Sequence, residues 1–247
     1  NALSNGGTVL GGTSVCTGSN NSTLLTLTDK TGTIVKWQSS LNSIDWNDIT
    51  NNNAAYTAVN LTTTTHYRAV VKSGVCSSAN SIPATVIVDP TSIGGTITGG
   101  ATICSGSTSG LLTLTGNTGN VVRWESSVSP FSTWTPIVNT TSTYTSGALT
   151  ETTQFRAVVQ SGVCSSANSA ITTRTIIATT WNGTLWTNGE PTSASSVIYT
   201  GNAAIGVDMS ACSITVTNNA VVSVTSGFSV TLSGAVTVAP GSQFTLN

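Results

Sequence analysis

Charged residues are scarce in this sequence. Asp, Glu, Lys and Arg make up 6% of the 247 residues, and the formal net charge is -1, whereas ordinary soluble domains carry roughly 25% charged residues. No stretch of Lys and Arg could neutralise a row of phosphates, so we expect no nucleic-acid partner. No apolar run approaches the roughly 18 residues that a membrane-spanning helix requires. We therefore expect no membrane span.

Catalytic side chains are also few. His66 is the single histidine, and the carboxylates are scattered along the chain. A Ser-His-Asp relay needs a histidine beside a carboxylate, and a glycosidase needs two carboxylates in one cleft. Zinc and calcium sites need Cys/His clusters or Asp-rich loops. The sequence shows none of these patterns, so it predicts a protein that is not an enzyme and that uses no metal or cofactor.

The polar residues that are abundant are Thr, Ser, Asn and Gly, with Val and Ile alternating among them. Thr, Val and Ile favour strands because their branched side chains fit a pleated sheet, while Gly and Asn favour turns. Long helical periodicity is absent. The composition predicts an all-β fold.

The chain contains an internal repeat. The stretch "YRAVVKSGVCSSANS" at 67–81 recurs as "FRAVVQSGVCSSANS" at 155–169, 88 residues later. The same offset relates Cys16 to Cys104, Trp46 to Trp134, Tyr56 to Tyr144, Arg68 to Arg156, and Cys76 to Cys164. We therefore predict two homologous modules, a first repeat at 1–92 and a second repeat at 93–178.

Each repeat reads as a series of short strands separated by turn residues, which is typical of a β-sandwich. Strand alternation predicts that Val35 and Trp37 share one face of their strand. Tyr67 lies on the inward face of another strand. The central aromatic residues of the two sandwiches are then expected to be Trp37, Tyr67, Trp124 and Phe155.

Residues 179–247 follow a different pattern. Short apolar-alternating strands recur every seven to eight residues with turns between them. This spacing suits the successive sides of a β-solenoid, and we expect the solenoid to continue beyond this segment. Its interior is predicted to hold Ile214, Val216, Val222, Val224, Val230, Leu232, Val236, Val238, Phe244 and Leu246.

The cysteines indicate an oxidising compartment. Cys16 and Cys76 are 60 residues apart, and so are Cys104 and Cys164. This common spacing predicts one disulfide in each repeat, the alternative being buried free thiols. Disulfides persist outside the cytoplasm. Cys212 is the odd cysteine, and it is either a small buried residue or a thiol that reacts or bonds to another molecule.

One surface is a candidate for binding. Both repeats carry a pair of cations on strands expected to be neighbours, and each also carries a tryptophan in the following loop: Lys36, Arg68 and Trp46 in the first, and Arg123, Arg156 and Trp134 in the second. The cations are predicted to contact acidic polysaccharide or another surface component, or alternatively to keep the sheet face soluble. The two tryptophans are predicted either to stack on sugars or to pack under the loops that carry them.

The residues also carry a family resemblance. The segment "GGTITGGATICSGSTSGLLTLTGNTGNVVRWESS" resembles Ig-like repeats of very large Bacteroidota surface proteins, including gliding-motility adhesins. The following "TTWNGTLWTNGEPTSASSVIYTGN" resembles the segment that precedes a C-terminal sorting domain of the type IX secretion system. The resemblance implies secretion and an extracellular or outer cell-surface location.

These observations lead to one expected function and two alternatives. The chain is expected to be a structural and adhesive segment of a secreted cell-surface protein. The first alternative is a carbohydrate-binding accessory region of a secreted multidomain hydrolase. In the second, the solenoid end contacts the secretion or surface-anchoring machinery.

Overall fold

The computed structural model describes residues 2–18 and 21–247. These residues form strands, turns and loops, which confirms the all-β prediction. None of the described segments is a helix of the length and apolarity needed to cross a membrane.

The first repeat is a sandwich of two sheets. One sheet has the strand order β1-β3-β6, and the other has the order β2-β9-β7-β4-β5, with β8 added to β7. The β2 strand runs parallel to β9, and the remaining pairs are antiparallel. This is an Ig/fibronectin-III-like topology. The strands are β1 (Thr8–Leu10), β2 (Ser14–Cys16), β3 (Ser22–Thr28), β4 (Thr33–Ser40), β5 (Asn47–Ile49), β6 (Ala55–Val59), β7 (Thr65–Lys72), β8 (Ala79–Asn80) and β9 (Ala84–Asp89).

The core of this sandwich is built around two of the predicted aromatic residues. Trp37 and Tyr67 are buried, and Tyr56 packs between them. The indole Nε1 of Trp37 donates a hydrogen bond to the carbonyl oxygen of Asn53 at 3.0 Å, so burial leaves no donor unpaired there. The prediction that Val35 and Trp37 share one face of their strand is wrong. A β-bulge skips Val35 in the ladder between β4 and β7 and leaves it 52% exposed.

The second repeat has the same arrangement. Its sheets have the orders β10-β12-β15 and β11-β18-β16-β13-β14, with β17 added to β16. Trp124 and Phe155 are buried around Tyr144, and Trp124 Nε1 donates to the carbonyl oxygen of Thr141 at 2.9 Å. The strands are β10 (Thr96–Thr98), β11 (Ala101–Thr102), β12 (Leu112–Thr115), β13 (Asn120–Val128), β14 (Thr135–Ile137), β15 (Thr143–Tyr144), β16 (Thr153–Gln160), β17 (Ala167–Asn168) and β18 (Thr172–Thr175).

The C-terminal segment is a β-solenoid, as the strand spacing predicts. Three stacks of parallel strands have the orders β19-β20-β23-β26, β21-β24-β27 and β22-β25. Parallel stacking of successive turns buries a continuous core. The strands are β19 (Ile177–Trp181), β20 (Ser195–Tyr199), β21 (Ala203–Ile205), β22 (Met209–Ala211), β23 (Ser213–Val216), β24 (Val221–Val224), β25 (Val230–Leu232), β26 (Val236–Val238) and β27 (Gln243–Leu246).

The solenoid interior agrees with the sequence in its middle turns. The four residues expected there from β23 and β24 are buried, and Val230, Leu232 and Phe244 pack against them. Val236, Val238 and Leu246 are exposed instead. These three lie on β26 and β27, which have a neighbouring strand on one side only.

The chain divides into two compact units. The first comprises Asn1–Gly94, Asn117–Asn120 and Val159–Ala167. The second comprises Gly95–Gly116, Val121–Val158 and Asn168–Asn247. The loop after β16 thus belongs to the same unit as the first repeat. The disulfide between Cys16 and Cys164 bonds this loop covalently to that repeat.

The disulfides join Cys16 to Cys164 and Cys104 to Cys212, with Cα separations of 4.8 and 5.4 Å. The predicted pairs Cys16 with Cys76 and Cys104 with Cys164 are therefore wrong. Cys76 carries the free thiol among the described residues. Cys212 is buried, as expected, but it is bonded within the chain, which overturns its interpretation as a reactive or intermolecular thiol.

The sheet register explains the failure of pairing within a repeat. Cys16 lies beside Asp89 at the C-terminal end of β9. Cys76 follows β7, which runs antiparallel to β9, so Cys76 lies beyond the opposite end of that ladder. A disulfide requires Cα atoms within about 7 Å. The two cysteines of one repeat are too far apart to meet.

Candidate binding surfaces

The first repeat carries a ladder of polar side chains across β4, β5 and β7, which we call the first charged ladder. Lys36 Nζ forms an ion pair with Asp48 Oδ2 at 2.7 Å, and Gln38 Nε2 donates to Asp48 Oδ1 at 2.7 Å. Arg68 Nε donates to Gln38 Oε1 at 2.8 Å, and its guanidinium lies 4.0 Å from the ring centre of Trp46. The ladder forms because Gln38 is paired with Asp48 on one side and with Arg68 on the other.

The second repeat carries a corresponding ladder with fewer members, the second charged ladder. Glu125 accepts hydrogen bonds from Arg123 Nε and Arg156 Nε, one on each carboxylate oxygen and both at 2.7 Å. The guanidinium of Arg156 lies 4.0 Å from the ring centre of Trp134. Each ladder thus ends in a cation stacked on a tryptophan.

The two ladders place the same charges through different residues. Glu125 occupies the position of Gln38, and Pro136 occupies the position of Asp48. The carboxylate has moved from the edge strand to the central strand, and the edge position has lost its charge. Both ladders retain two cations and one carboxylate, so the charge balance is kept while the acidic residue changes strand.

The ladders hold their carboxylates ionised. Burial raises the pKa of Glu125, which is 5% exposed, but the hydrogen bonds from Arg156 and Arg123 outweigh burial and leave its pKa below the usual range. The hydrogen bonds that Asp48 accepts from Lys36 and Gln38 lower its pKa as well. Each carboxylate therefore stays negative at neutral pH and neutralises part of the positive charge around it.

The structure groups the predicted surface residues by repeat. Lys36, Arg68 and Trp46 lie on one ladder, and the equivalent three residues lie on the other. The sequence prediction left out the acids and the glutamine that connect them. A signal was present in Arg123 and Glu125, because residues two apart on a strand share a face.

A second candidate surface is a pocket in the solenoid. Its volume is about 330 Å³, and Trp181, Trp186 and Tyr199 form an aromatic part of its lining. The two tryptophan rings are tilted with their centres 5.3 Å apart, and Trp186 meets Tyr199 edge-on at 5.5 Å. Trp181 Nε1 donates to the carbonyl oxygen of Asn202 at 2.9 Å, which fixes one ring.

Two carboxylates also line this pocket. Asp208 Oδ1 accepts hydrogen bonds from the backbone N and the Oγ of Ser229 at 2.8 and 2.9 Å, and these bonds lower the pKa of Asp208. Glu190 lines the pocket and is exposed. Burial raises the pKa of Tyr199 to about 12, so its hydroxyl stays protonated. The pocket combines aromatic faces with anionic hydrogen-bond acceptors. Residues 2–18 and 21–247 contain no group of three His, Cys, Asp or Glu placed to hold a metal ion.

Residues 5–90 and 93–178 each match the family described as Domain of unknown function (DUF8696). The chain belongs to the DUF8696 family. The two matched segments are the ones that carry the sandwiches and their charged ladders. No curated protein matches the chain.

Solved structures similar to this DUF8696 protein share little sequence with it. It is 12% identical to the titin domains A168-A170, covering 68% of this chain and 66% of that chain, with a TM-score of 0.41. It is 11% identical to a marsupial T cell receptor, with 68% and 72% covered and a TM-score of 0.43. It is 13% identical to fibronectin(III)-like modules of Clostridium thermocellum CbhA, with 67% and 88% covered and a TM-score of 0.32.

Proposed function

We propose that this DUF8696 protein is a structural and adhesive segment of a secreted bacterial cell-surface protein, with no catalytic role of its own. The observation that carries the proposal is the pattern of disulfides. Each bridge joins the cysteine at or just after the second strand of a repeat to a cysteine in the following segment of the chain. Such bridges fit an extracellular protein, because disulfides persist in oxidising surroundings.

The bridges suit a segment that bears tension. A force applied between the two ends passes from Cys16 directly to Cys164 through the first disulfide. The loop between these two cysteines, whose sequence separation is 148, is then excluded from extension. An adhesive stalk benefits from this arrangement, because its modules stay close to their folded length under load.

Single-molecule force spectroscopy on the full chain tests the mechanical part of the proposal. Reduction of the protein should lengthen the fully extended chain by roughly 500 Å, from 148 residues at about 3.3 to 3.6 Å each. The C104S/C212S variant is the matched control. It should extend like the oxidised wild type, because the path from Cys164 to Cys212 along the chain is shorter than the path through the second bridge. A gain of length in this control would contradict the force path.

The location is a finer part of the proposal. The parent protein is proposed to leave the cell through the type IX secretion system and to remain on the outer surface, where it contacts polysaccharide or other surface components. An antibody against this segment should label intact cells of the source bacterium. Labelling should disappear when the secretion system is deleted, and labelling only after lysis in the wild type would refute the location.

A second candidate function is carbohydrate binding, as in an accessory region of a secreted hydrolase. The solenoid pocket favours it, because sugars present an apolar ring face that stacks on tryptophan and hydroxyl groups that donate to carboxylates. Trp186 and Glu190 are the residues that would make these two kinds of contact.

Binding of the full chain to neutral and acidic polysaccharides separates the two candidate surfaces. The W186A variant should lose binding to a neutral polysaccharide if the pocket is the site. The variant in which Lys36, Arg68, Arg123 and Arg156 are all changed to Gln should lose salt-sensitive binding to an acidic one if the ladders are the site. Absence of binding by the wild type would reject both and leave the structural role alone.

A further inference from the structure

The cysteines of the two repeats follow one linkage rule. The cysteine at or just after the second strand of a repeat, Cys16 or Cys104, bonds forward to the next segment of the chain. The cysteine in the loop after the long strand, Cys164, bonds backward to the preceding repeat. Cys76 occupies the same loop position in the first repeat, and it carries a free thiol.

The loop around Cys76 has the conformation of the loop that carries the bonded Cys164. The amide of Cys76 donates to the carbonyl oxygen of Ser73 at 3.0 Å, and the amide of Cys164 donates to that of Ser161 at 2.9 Å. Each loop contains a glycine with positive φ, Gly74 or Gly162, at 53° and 48°. The first loop is thus already folded in the form that accepts a disulfide in the second.

The chain that leads into each repeat also contacts the loop in the same way. Ser73 N donates to Ser4 Oγ and Ser161 N donates to Ser92 Oγ, both at 2.9 Å and both across 69 residues. The thiol of Cys76 lies 3.7 Å from the carbonyl oxygen of Ala2.

At the bonded loop, the equivalent contact joins the sulfur of Cys164 to the carbonyl oxygen of Pro90 at 3.2 Å. Residues 2–4 therefore follow the same path past the first loop as residues 90–92 follow past the second.

The two loops differ in how much of their surface is covered. Cys164 is 1% exposed, whereas Cys76 is only partly buried. Val75 beside it is 92% exposed, compared with 56% for the equivalent Val163. Leu3, which lies on the segment leading into the first repeat, is also exposed. The first loop thus presents apolar side chains around a thiol.

We propose that Cys76 is the attachment site for a preceding copy of the DUF8696 repeat, through a disulfide to the residue of that copy equivalent to Cys16. The partner is defined by its chemistry, a thiol at the end of the second strand of a sandwich whose last strand is followed by the linker that contains residues 2–4. The inference rests on the geometry of the linkage and is independent of the proposed cell-surface function.

The bond forms with a balanced exchange of electrons. The thiols of Cys76 and of the incoming cysteine together lose two protons and two electrons as the new S–S bond forms. A disulfide oxidant such as oxidised glutathione accepts them, and its own S–S bond breaks to give two thiols. The same reaction describes the formation of the two bridges already present in the chain.

The test is a tandem protein in which residues 6–93, carrying Cys76→Ser, are placed directly before residue 6 of the chain. This junction reproduces the one between the two natural repeats. After refolding in a glutathione buffer, peptide mapping under non-reducing conditions should find the added copy of Cys16 bonded to Cys76, and the count of free thiols should be zero. The two native bridges, mapped in the same digest, show that the tandem is folded.

Two results would overturn the proposal in a tandem that contains both native bridges. One is two free thiols per chain, at the added Cys16 and at Cys76. The other is a Cys76 that bonds only to Cys76 of a second molecule. The matched control carries Cys76→Ser in the original first repeat as well as in the added copy. It should show one free thiol, at the added Cys16, and no new bridge.

Discussion

The exchange of residues between the two charged ladders predicts the effect of a substitution at Glu125. In Glu125→Gln, the amide oxygen still accepts a hydrogen bond from Arg156, as Gln38 accepts one from Arg68 at 2.8 Å, but Arg123 loses its partner. A hydrogen bond to a charged group contributes roughly 1.5 to 3 kcal/mol. The Arg123 side chain is 43% exposed, and solvent screens this pair, so we expect the free energy of unfolding to fall by about 1 to 2 kcal/mol.

A second change should restore the loss. Pro136→Asp places a carboxylate opposite position 125, where Asp48 lies opposite Gln38 in the first repeat. Alone, it puts two carboxylates side by side and should not stabilise the protein. Combined with Glu125→Gln, it rebuilds the first ladder within the second repeat. The double variant should therefore recover most of the stability, with a coupling free energy of about 1 kcal/mol or more.

Urea unfolding of the four proteins at pH 7, followed by tryptophan fluorescence, measures this cycle. Glu151→Gln is the matched control, because it removes an exposed carboxylate from the same repeat, and it should leave the unfolding midpoint unchanged. A double variant that is no more stable than Glu125→Gln would refute the reasoning. It would show that the side chains introduced at positions 125 and 136 do not form the contacts that Gln38 and Asp48 form in the first repeat.

The difference in unfolding free energy between the wild type and Glu125→Gln should depend on pH in a defined direction. The folded protein holds the pKa of Glu125 below its ordinary value. The stabilisation that ionised Glu125 contributes is therefore complete above its unfolded pKa of about 4.3, and it is lost as the pH falls through its lower folded pKa. The wild type and Glu125→Gln should differ at pH 7 and converge in acid. A difference that grows on acidification would contradict this sign.

Further variants test the core, the cation–tryptophan stacking and the first disulfide. Trp124→Ala should lower the free energy of unfolding by about 3 to 5 kcal/mol, because it leaves a cavity at a fully buried site, and a loss below 1 kcal/mol in urea unfolding would contradict that placement. Trp134→Ala should cost about 0.5 to 2 kcal/mol by removing the ring under Arg156, whereas Trp134→Phe should cost less in the same assay. The C16S/C164S variant should lose up to about 5 kcal/mol, from the chain entropy of a loop of 148 residues, and calorimetry should show no drop in melting temperature if this bridge contributes nothing.

The sequence was sufficient for the features that depend on local pattern. Strand alternation placed Tyr67 and Phe155 in the cores, and the strand spacing of the last segment gave the parallel stacks of the solenoid. Alternation failed at Val35 because a β-bulge shifts the pleat by one residue, and a bulge leaves no reliable mark in a short strand.

The disulfides depend on geometry that spacing does not contain. The constant interval of 60 residues fits pairing within a repeat, but it fits a chain of repeats linked one to the next equally well. In both schemes the cysteines recur at one offset. The odd number of cysteines was the available signal, because linkage to the next segment leaves the loop cysteine of the first repeat free and pairs Cys212.

The difference between the two ladders bears on what they are for. If both repeats recognised the same ligand, each copy would have to present the same donors and acceptors to it. Here the acceptor changes from Asp48 on an edge strand to Glu125 on a central one, while the stacked Arg and Trp stay in place. What both repeats keep is one carboxylate in a network that connects two cations across neighbouring strands, directly through Glu125 in the second repeat and through Asp48 and Gln38 in the first. The ladders are therefore better explained as part of the framework of each sandwich. A search for ligands should begin at the solenoid pocket, which is lined by Trp181, Trp186 and Tyr199.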